Sequence, residues 1–231
     1  MIPKKIHYCW FGRGQKPKLA EKCIESWKKF CPDYEIIEWN EDNFNVNTNP
    51  YTKMCYENKM YAFLSDYVRL VTVYEHGGIY FDSDVEAVKS FDDLLNKKGF
   101  YAFENNDYIA SGLGFGSEAG NPALEAMIKK YDLVLDGKSG TIGCPRLNTQ
   151  ALTEYGFKMN GKMQEIDGVV LYPKEYFNPF DDNTGILHKT DNTYSIHWYG
   201  KSWMNRRDII RNRFTRVIHR FLGTDIRKNS K

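Results

Sequence analysis

A chain of 231 residues in which 42% are hydrophobic and 15% aromatic carries enough apolar side chain for one buried α/β core, which excludes wholesale disorder. Its formal charge of +2 is unevenly spread: residues 206–231 hold nine Lys or Arg against two Asp, so that segment alone is +7. The five cysteines, Cys9, Cys23, Cys31, Cys55 and Cys144, include no Cys-x-x-Cys pair and lack zinc-site spacing, so a reducing cytosol fits best.

The opening residues Met1 to Ile6 lead into a strand with no apolar stretch of signal-peptide length. No run approaches the roughly 20 apolar residues that cross a bilayer, so a soluble or peripheral protein is expected. Lys5 to Phe11 reads as a first strand, closed by Gly12, Gly14 and Pro17; Leu19 to Phe30 has helical periodicity, and Tyr34 to Trp39 reads as a second strand. This β-α-β start predicts a parallel sheet with a nucleotide at the carboxyl ends of its strands. Lys59 to Glu75 places Tyr61, Leu64, Val68, Val71 and Tyr74 at helical spacing, and Gly77-Gly78 supplies the helix stop.

The run Ile79 to Val85 is rich in aromatic and β-branched residues and reads as a strand, on which Asp82 and Asp84 share a face. Two carboxylates there suit Mn²⁺ or Mg²⁺, whose shell substrate phosphates and water complete. Asp66 and Arg69, three apart on the preceding helix, also share a face. They form either an exposed ion pair or a pair in which Arg69 reaches a diphosphate and Asp66 a sugar hydroxyl; the apolar residues around them favour the second reading.

Further on, Gly99 to Glu104 is a strand, Ile109 to Gly116 a glycine-rich segment without a dinucleotide or phosphate-loop fingerprint, and Pro122 to Leu135 a helix. Residues 145–200 read as short segments and loops, including Val169 to Pro173 and Tyr194 to Tyr199, where acceptor-binding and lid elements are expected; Asn148, Thr149 and Gln150 offer polar groups there. In the basic tail, Ile210, Phe214, Val217, Ile218 and Phe221 recur at helical spacing, which fits either an anionic membrane surface or docking on the domain. The expected division is a catalytic domain over 1–205 and this basic amphipathic helix over 206–231.

Three blocks of the chain resemble glycosyltransferase family 32, the group with an Asp-x-Asp sugar-binding region related to yeast initiating mannosyltransferases and glucosylating clostridial toxins. They are Ile2 to His7 with Trp10 and Gly12; Ser65 to Arg69 followed by Gly77 to Val85; and His197-Trp198 with Ser202-Trp203. The resemblance implies a GT-A-like, Rossmann-type α/β fold with a mostly parallel central sheet. It also implies a hexosyltransferase that retains anomeric configuration, with a nucleotide sugar as donor, a UDP-sugar being favoured, and Mn²⁺ or Mg²⁺ as cofactor. By that likeness Trp10 stacks on the base unless it is a core tryptophan, and Asp66, Arg69 and Asp82 hold the donor. Asp84 and Asp82 bind metal, His197 joins them unless it is an ordinary core or surface histidine, and Ser202 and Trp203 close over the diphosphate. The expected acceptor is a glycan or glycolipid of a capsule or O-antigen pathway at the cytoplasmic membrane face.

Two other classes compete. Paired carboxylates also serve metal-dependent phosphoesterases and nucleases, which need more His and Asp ligands than this chain supplies near its Asp-x-Asp. The basic tail could bind nucleic acid, but that leaves Asp66, Arg69 and the Gly-Gly segment without a role.

Overall fold

A computed structural model describes residues 1–200 together with Thr215, Arg216, His219 and Arg220. Along the chain it places β1 (Lys5–Cys9), α1 (Lys18–Phe30), β2 (Glu35–Trp39), α2 (Pro50–Glu57), α3 (Tyr61–His76), β3 (Gly78–Tyr80), β4 (Val85–Ala87) and β5 (Gly99–Ala102). There follow β6 (Phe115–Ser117), α4 (Pro122–Lys129), α5 (Cys144–Tyr155), β7 (Gln164–Ile166), β8 (Val169–Tyr172), α6 (Lys174–Phe177), β9 (Phe180–Asp181), β10 (Ile186–Leu187) and β11 (Ser195–His197).

Seven strands form the central sheet in the order β2-β1-β3-β6-β5-β8-β7. β2, β1, β3, β5 and β8 run one way, whereas β6 and β7 oppose them. The sheet is mostly parallel, as expected of this α/β chain. Its strands alternate between two buried layers. Cys9, Tyr80, Tyr101, Val169 and Leu171 face one layer with residues of α2 to α5, and Ile6, Tyr8, Ile79, Phe100, Val170 and Tyr172 face the other with residues of α1 and α6. Burial on both faces is what a sheet covered by helices on each side requires.

Two helices were not read from the sequence: α2 lies where no element was assigned, and α5 where short segments and loops were expected. α2 begins with Asn49, whose side chain accepts from the Thr52 amide at 2.9 Å while the Asn49 amide donates to Thr52 Oγ1 at 3.3 Å, with Pro50 in the first turn. That reciprocal cap was present in the residues. α5 starts after Gly143 with Pro145 in its first turn and ends at Gly156; few apolar positions marked it, because only Leu147, Ala151 and Leu152 of its middle are buried hydrophobics. Among the described residues no helix is long and apolar enough to cross a membrane.

The described part of the C-terminal segment is helical and meets the β9–β10 hairpin. Arg216 pairs with the Asp182 carboxylate, donates from Nε to Asp182 O at 2.8 Å and lies 5.3 Å from the Phe180 ring centroid; Arg220 donates to Thr184 O. Docking on the domain therefore holds for these residues. The 205/206 boundary, Ser202 and Trp203 lie outside the described residues.

Candidate functional site

Asp82 and Asp84 come together by a turn, not by a shared strand face. The ladder of β3 ends with the Phe81 amide donating to His7 O at 3.0 Å, where its other neighbour, β6, begins only at Phe115 opposite Tyr80. Beyond it the Val85 amide donates to Asp82 O at 3.0 Å, closing a four-residue turn over Ser83 and Asp84 before β4 starts. The expected continuous strand from Ile79 to Val85 is corrected to strand, turn and strand.

β4 then pairs antiparallel with β11, setting Val85 opposite His197. Each of Asp82, Asp84 and His197 offers a ligand atom within 4.8 Å of the others. His197 Nε2 lies 3.2 Å from Asp84 Oδ1, and the Gly200 amide donates to Asp84 Oδ2 at 2.6 Å. Burial opposes the charged form of each group. For Asp84 the neighbouring His197 and the Gly200 amide outweigh burial and hold its carboxyl below the usual range, while Asp84 in turn raises His197 above the ordinary histidine value. Asp82 is pushed up by burial and by the like charge of Asp84, against the opposing pull of Arg69.

The helix contributes what its spacing predicted. Arg69, with only 3% of its side chain exposed, places Nη2 2.7 Å from Asp66 Oδ1 and 3.1 Å from Asp82 Oδ1. It is not an exposed intrahelical pair. Tyr80 supports the same centre from β3: its hydroxyl donates to Asp82 Oδ1 at 3.0 Å and its ring lies 5.0 Å from the Arg69 guanidinium carbon. Asp66 is pushed up to about 6 by burial, which Arg69 and the Cys144 amide at the start of α5 oppose.

The glycine-rich segment closes the site from β6. A Cβ on Gly112 would overlap Asp82 Oδ2 and stand 3.0 Å from Arg69 Nη1, so the backbone approaches the charged pair where only glycine leaves room. Beside it, Ser111 Oγ accepts from Asn148 Nδ2 at 3.0 Å. Thr149 instead supports the loop by accepting from the Ile109 amide at 2.9 Å, and Gln150 points to exposed Glu154 at 3.3 Å. Of the three polar residues singled out on α5, only Asn148 joins the buried cluster.

Trp10 follows β1 and is partly buried, with Nε1 donating to Gly14 O at 2.7 Å and Lys16 Nζ 5.8 Å from its ring centroid. The core tryptophan of this region is Trp27, wholly buried against Phe81. Trp10, Asp82 and Arg69 thus gather at the carboxyl ends of β1 and β3, where open α/β sheets bind ligands. Tyr80, Gly112 and Gly200 were missed by the residue pattern. Only Tyr80 carried a signal, since it stands two residues before Asp82.

Three donor atoms of this kind fit a divalent cation: two carboxylates and an imidazole match Mn²⁺ or Mg²⁺, the imidazole favouring Mn²⁺. A cation held by these residues would offset the burial and the like charge of Asp84 that raise Asp82.

Residues 17–101 match the family model described as glycosyltransferase sugar-binding region containing DXD motif. Inositol phosphoceramide mannosyltransferase 3 of Schizosaccharomyces pombe is 27% identical over 135 residues, which cover 55% of this chain and 36% of that protein. The chain therefore spans about a third of the length of that curated relative. Among solved structures, PaToxG glycosyltransferase aligns with 67% of this chain and 70% of its own at a TM-score of 0.54 and 21% identity, a likeness of fold. A glycosyltransferase involved in glycosylation of the major capsid of PBCV-1 aligns with 91% of this chain and 98% of its own at a TM-score of 0.49 and 13% identity. Residues 17–101 thus match a sugar-binding region of the Asp-x-Asp type, and the α/β fold is like that of a glycosyltransferase of solved structure.

Proposed function

We propose, from a chain that carries a glycosyltransferase sugar-binding region at residues 17–101, that this protein moves a hexose from a nucleoside diphosphate sugar, a UDP-sugar being favoured, to a glycan or lipid-linked acceptor. The observation that carries the reading is the convergence of Asp82, Asp84 and His197 within 4.8 Å beside the buried Arg69. Asp84, Asp82 and His197 would hold Mn²⁺ or Mg²⁺. When bound, such an ion neutralises negative charge that develops on a diphosphate leaving group.

Arg69 and Asp66 orient the donor. Arg69 is fixed by two carboxylates, which leaves its guanidinium pre-organised to meet phosphate charge without a search through rotamers. Trp10, which is only partly buried, offers a ring face for the base, a contact worth about 1–3 kcal/mol. Among the described residues no side chain is placed as a nucleophile, which supports attack by an acceptor hydroxyl on the face that the diphosphate leaves. The anomeric configuration is then retained, and a phosphate oxygen takes the hydroxyl proton. Ser202 and Trp203 would complete the diphosphate side. The curated relative is named for transfer of mannose to inositol phosphoceramide, which supports an acceptor that is itself glycan- or lipid-borne. The +7 segment 206–231 would draw the domain to an anionic cytoplasmic membrane face through basic residues other than Arg216 and Arg220, which meet the β9–β10 hairpin.

The test is release of nucleoside diphosphate from a panel of UDP- and GDP-sugars with Mn²⁺, followed by chelation. Release that disappears with the chelator and returns with Mn²⁺ is expected. No release from any donor with or without a glycoside acceptor would overturn the reading.

A further inference from the structure

Glu104 lies outside every motif that marked the donor site. It follows β5, which runs parallel to β1 and β3, so the topology sets it past the same sheet edge that carries Trp10 and Asp82. The side chain is largely withdrawn from water, and burial raises its pKa above the ordinary glutamate range. None of the ion pairs among the described residues includes it. Its one side-chain hydrogen bond among them comes from Tyr199, whose hydroxyl donates to Oε1 at 3.4 Å; Oε2 has no partner there. Oε2 is not among the buried atoms that lack a partner, so it opens to solvent, where it can accept from a ligand hydroxyl.

What holds Glu104 is specific. Asn178 Nδ2 donates to the Glu104 carbonyl at 3.0 Å and to the Tyr199 hydroxyl at 2.8 Å, so one amide fixes both. Tyr199 adopts φ +50°, a conformation that non-glycine residues adopt at a cost, and its ring lies 4.1 Å from that of His197. His197 in turn meets Asp84 at 3.2 Å. The carboxylate of Glu104 therefore stands one ring layer beyond the proposed metal ligands. The backbone of Glu104 also donates to Tyr108 O at 2.8 Å, and Tyr108 leaves 46% of its surface exposed beside it.

We propose that Glu104, held by Asn178 and Tyr199, is the acceptor subsite: Oε2 accepts hydrogen bonds from hydroxyls of a saccharide, with the exposed Tyr108 ring as the apolar platform beside it. This rests on the transferase reading above. Sugar hydroxyls are donors that a carboxylate binds through charge-assisted hydrogen bonds, and a neighbouring ring covers the C–H face of a pyranose. The position fits the order of events, since a donor bound between Trp10 and Asp84 must meet its acceptor beyond the metal ligands, where His197, Tyr199 and Glu104 follow one another.

The experiment compares wild type, Glu104→Gln and Tyr199→Phe, using the donor that wild type turns over fastest and the octyl glycosides of glucose, galactose and mannose as acceptor probes. Both variants keep shape, and their thermal midpoints are measured alongside. Glu104→Gln is expected to raise the acceptor KM by at least about tenfold, the loss of one charge-assisted hydrogen bond, and to lower the ratio of transfer to donor hydrolysis by a similar factor. Tyr199→Phe should shift both in the same direction by less. An acceptor KM within about twofold of wild type in Glu104→Gln, or hydrolysis and transfer falling together, would overturn the subsite while leaving the transferase reading intact. Wild type that turns over no donor overturns the transferase reading itself.

Discussion

Two buried histidines in this molecule sit in opposite electrostatic surroundings, and the contrast separates what holds the fold from what the fold is for. His7, on β1, is fully buried and fully bonded: Nε2 meets Gly77 O at 2.8 Å, and Trp39 Nε1 donates to Nδ1 at 3.0 Å. That pattern specifies the neutral tautomer with its proton on Nε2. Burial lowers its pKa to about 4. His197, on β11, keeps a little exposure, yet its Nδ1 is buried without a partner, its Nε2 faces Asp84, and that carboxylate raises its pKa. A cluster that satisfies every polar atom stabilises structure. One that gathers like charges and leaves atoms unpaired stores its capacity for a ligand.

The contrast is broken most severely at Arg69, the group that lets Asp66 and Asp82 sit side by side. Arg69→Ala removes the partner of two buried carboxylates and should cost about 3–5 kcal/mol of stability, read by chemical denaturation. A loss below about 1 kcal/mol would show that the carboxylates need no cation to fold.

His7 tests the other side through pH. Its folded pKa lies below the unfolded value of about 6.5, so its contribution is complete above pH 6.5 and is lost as pH falls through 6.5 toward 4. The loss should reach roughly 3 kcal/mol, at 1.36 kcal/mol per unit. Denaturation midpoints between pH 7 and 4 measure it, and His7→Gln should remove that part of the slope. A slope identical in His7→Gln would assign acid sensitivity elsewhere.

At the proposed metal ligands the larger expected effect is on turnover. Asp84→Asn should lower nucleoside diphosphate release by at least about 100-fold, near 2.7 kcal/mol of transition-state stabilisation, with only a modest fall in thermal midpoint from the lost charge pairing with His197. Undiminished release would remove Asp84 from the site. The smallest effect is at Trp10, where Trp10→Ala should weaken nucleoside diphosphate binding by about tenfold in calorimetry, the worth of one stacking contact. Unchanged affinity would make its partial exposure incidental.

Much of this was legible before the structure. Helical spacing brought Asp66 and Arg69 to one face, and the β-α-β opening implied the parallel sheet edge at which Trp10 and Asp82 meet. Convergence of Asp82 and Asp84 was expected for the wrong reason, since a local pattern of β-branched and aromatic residues does not reveal where the neighbouring strands stop. α5 hid because its stripe is narrow, and with it Asn148. Glu104 carried no signal at all: it is a lone carboxylate after a strand, and only the sheet order brings it to the edge that the Asp-x-Asp turn occupies.

By itself, then, the chain determined the properties that depend on near neighbours: which segments coil, which residues share a helix face, and that two carboxylates two apart can hold a cation. Tertiary structure alone decided the long-range choices. Pairing of β4 with β11 brings His197 to Asp84 across 112 intervening residues, close enough for Nε2 and Oδ1 to stand 3.2 Å apart. The approach of Gly112 confines Arg69, and the carboxylate of Asp84 raises His197 where burial alone lowers His7. Spacing along a chain carries no information about which distant segment will pack against it or about how much water that packing removes, and those two quantities set the charge of every group in the site.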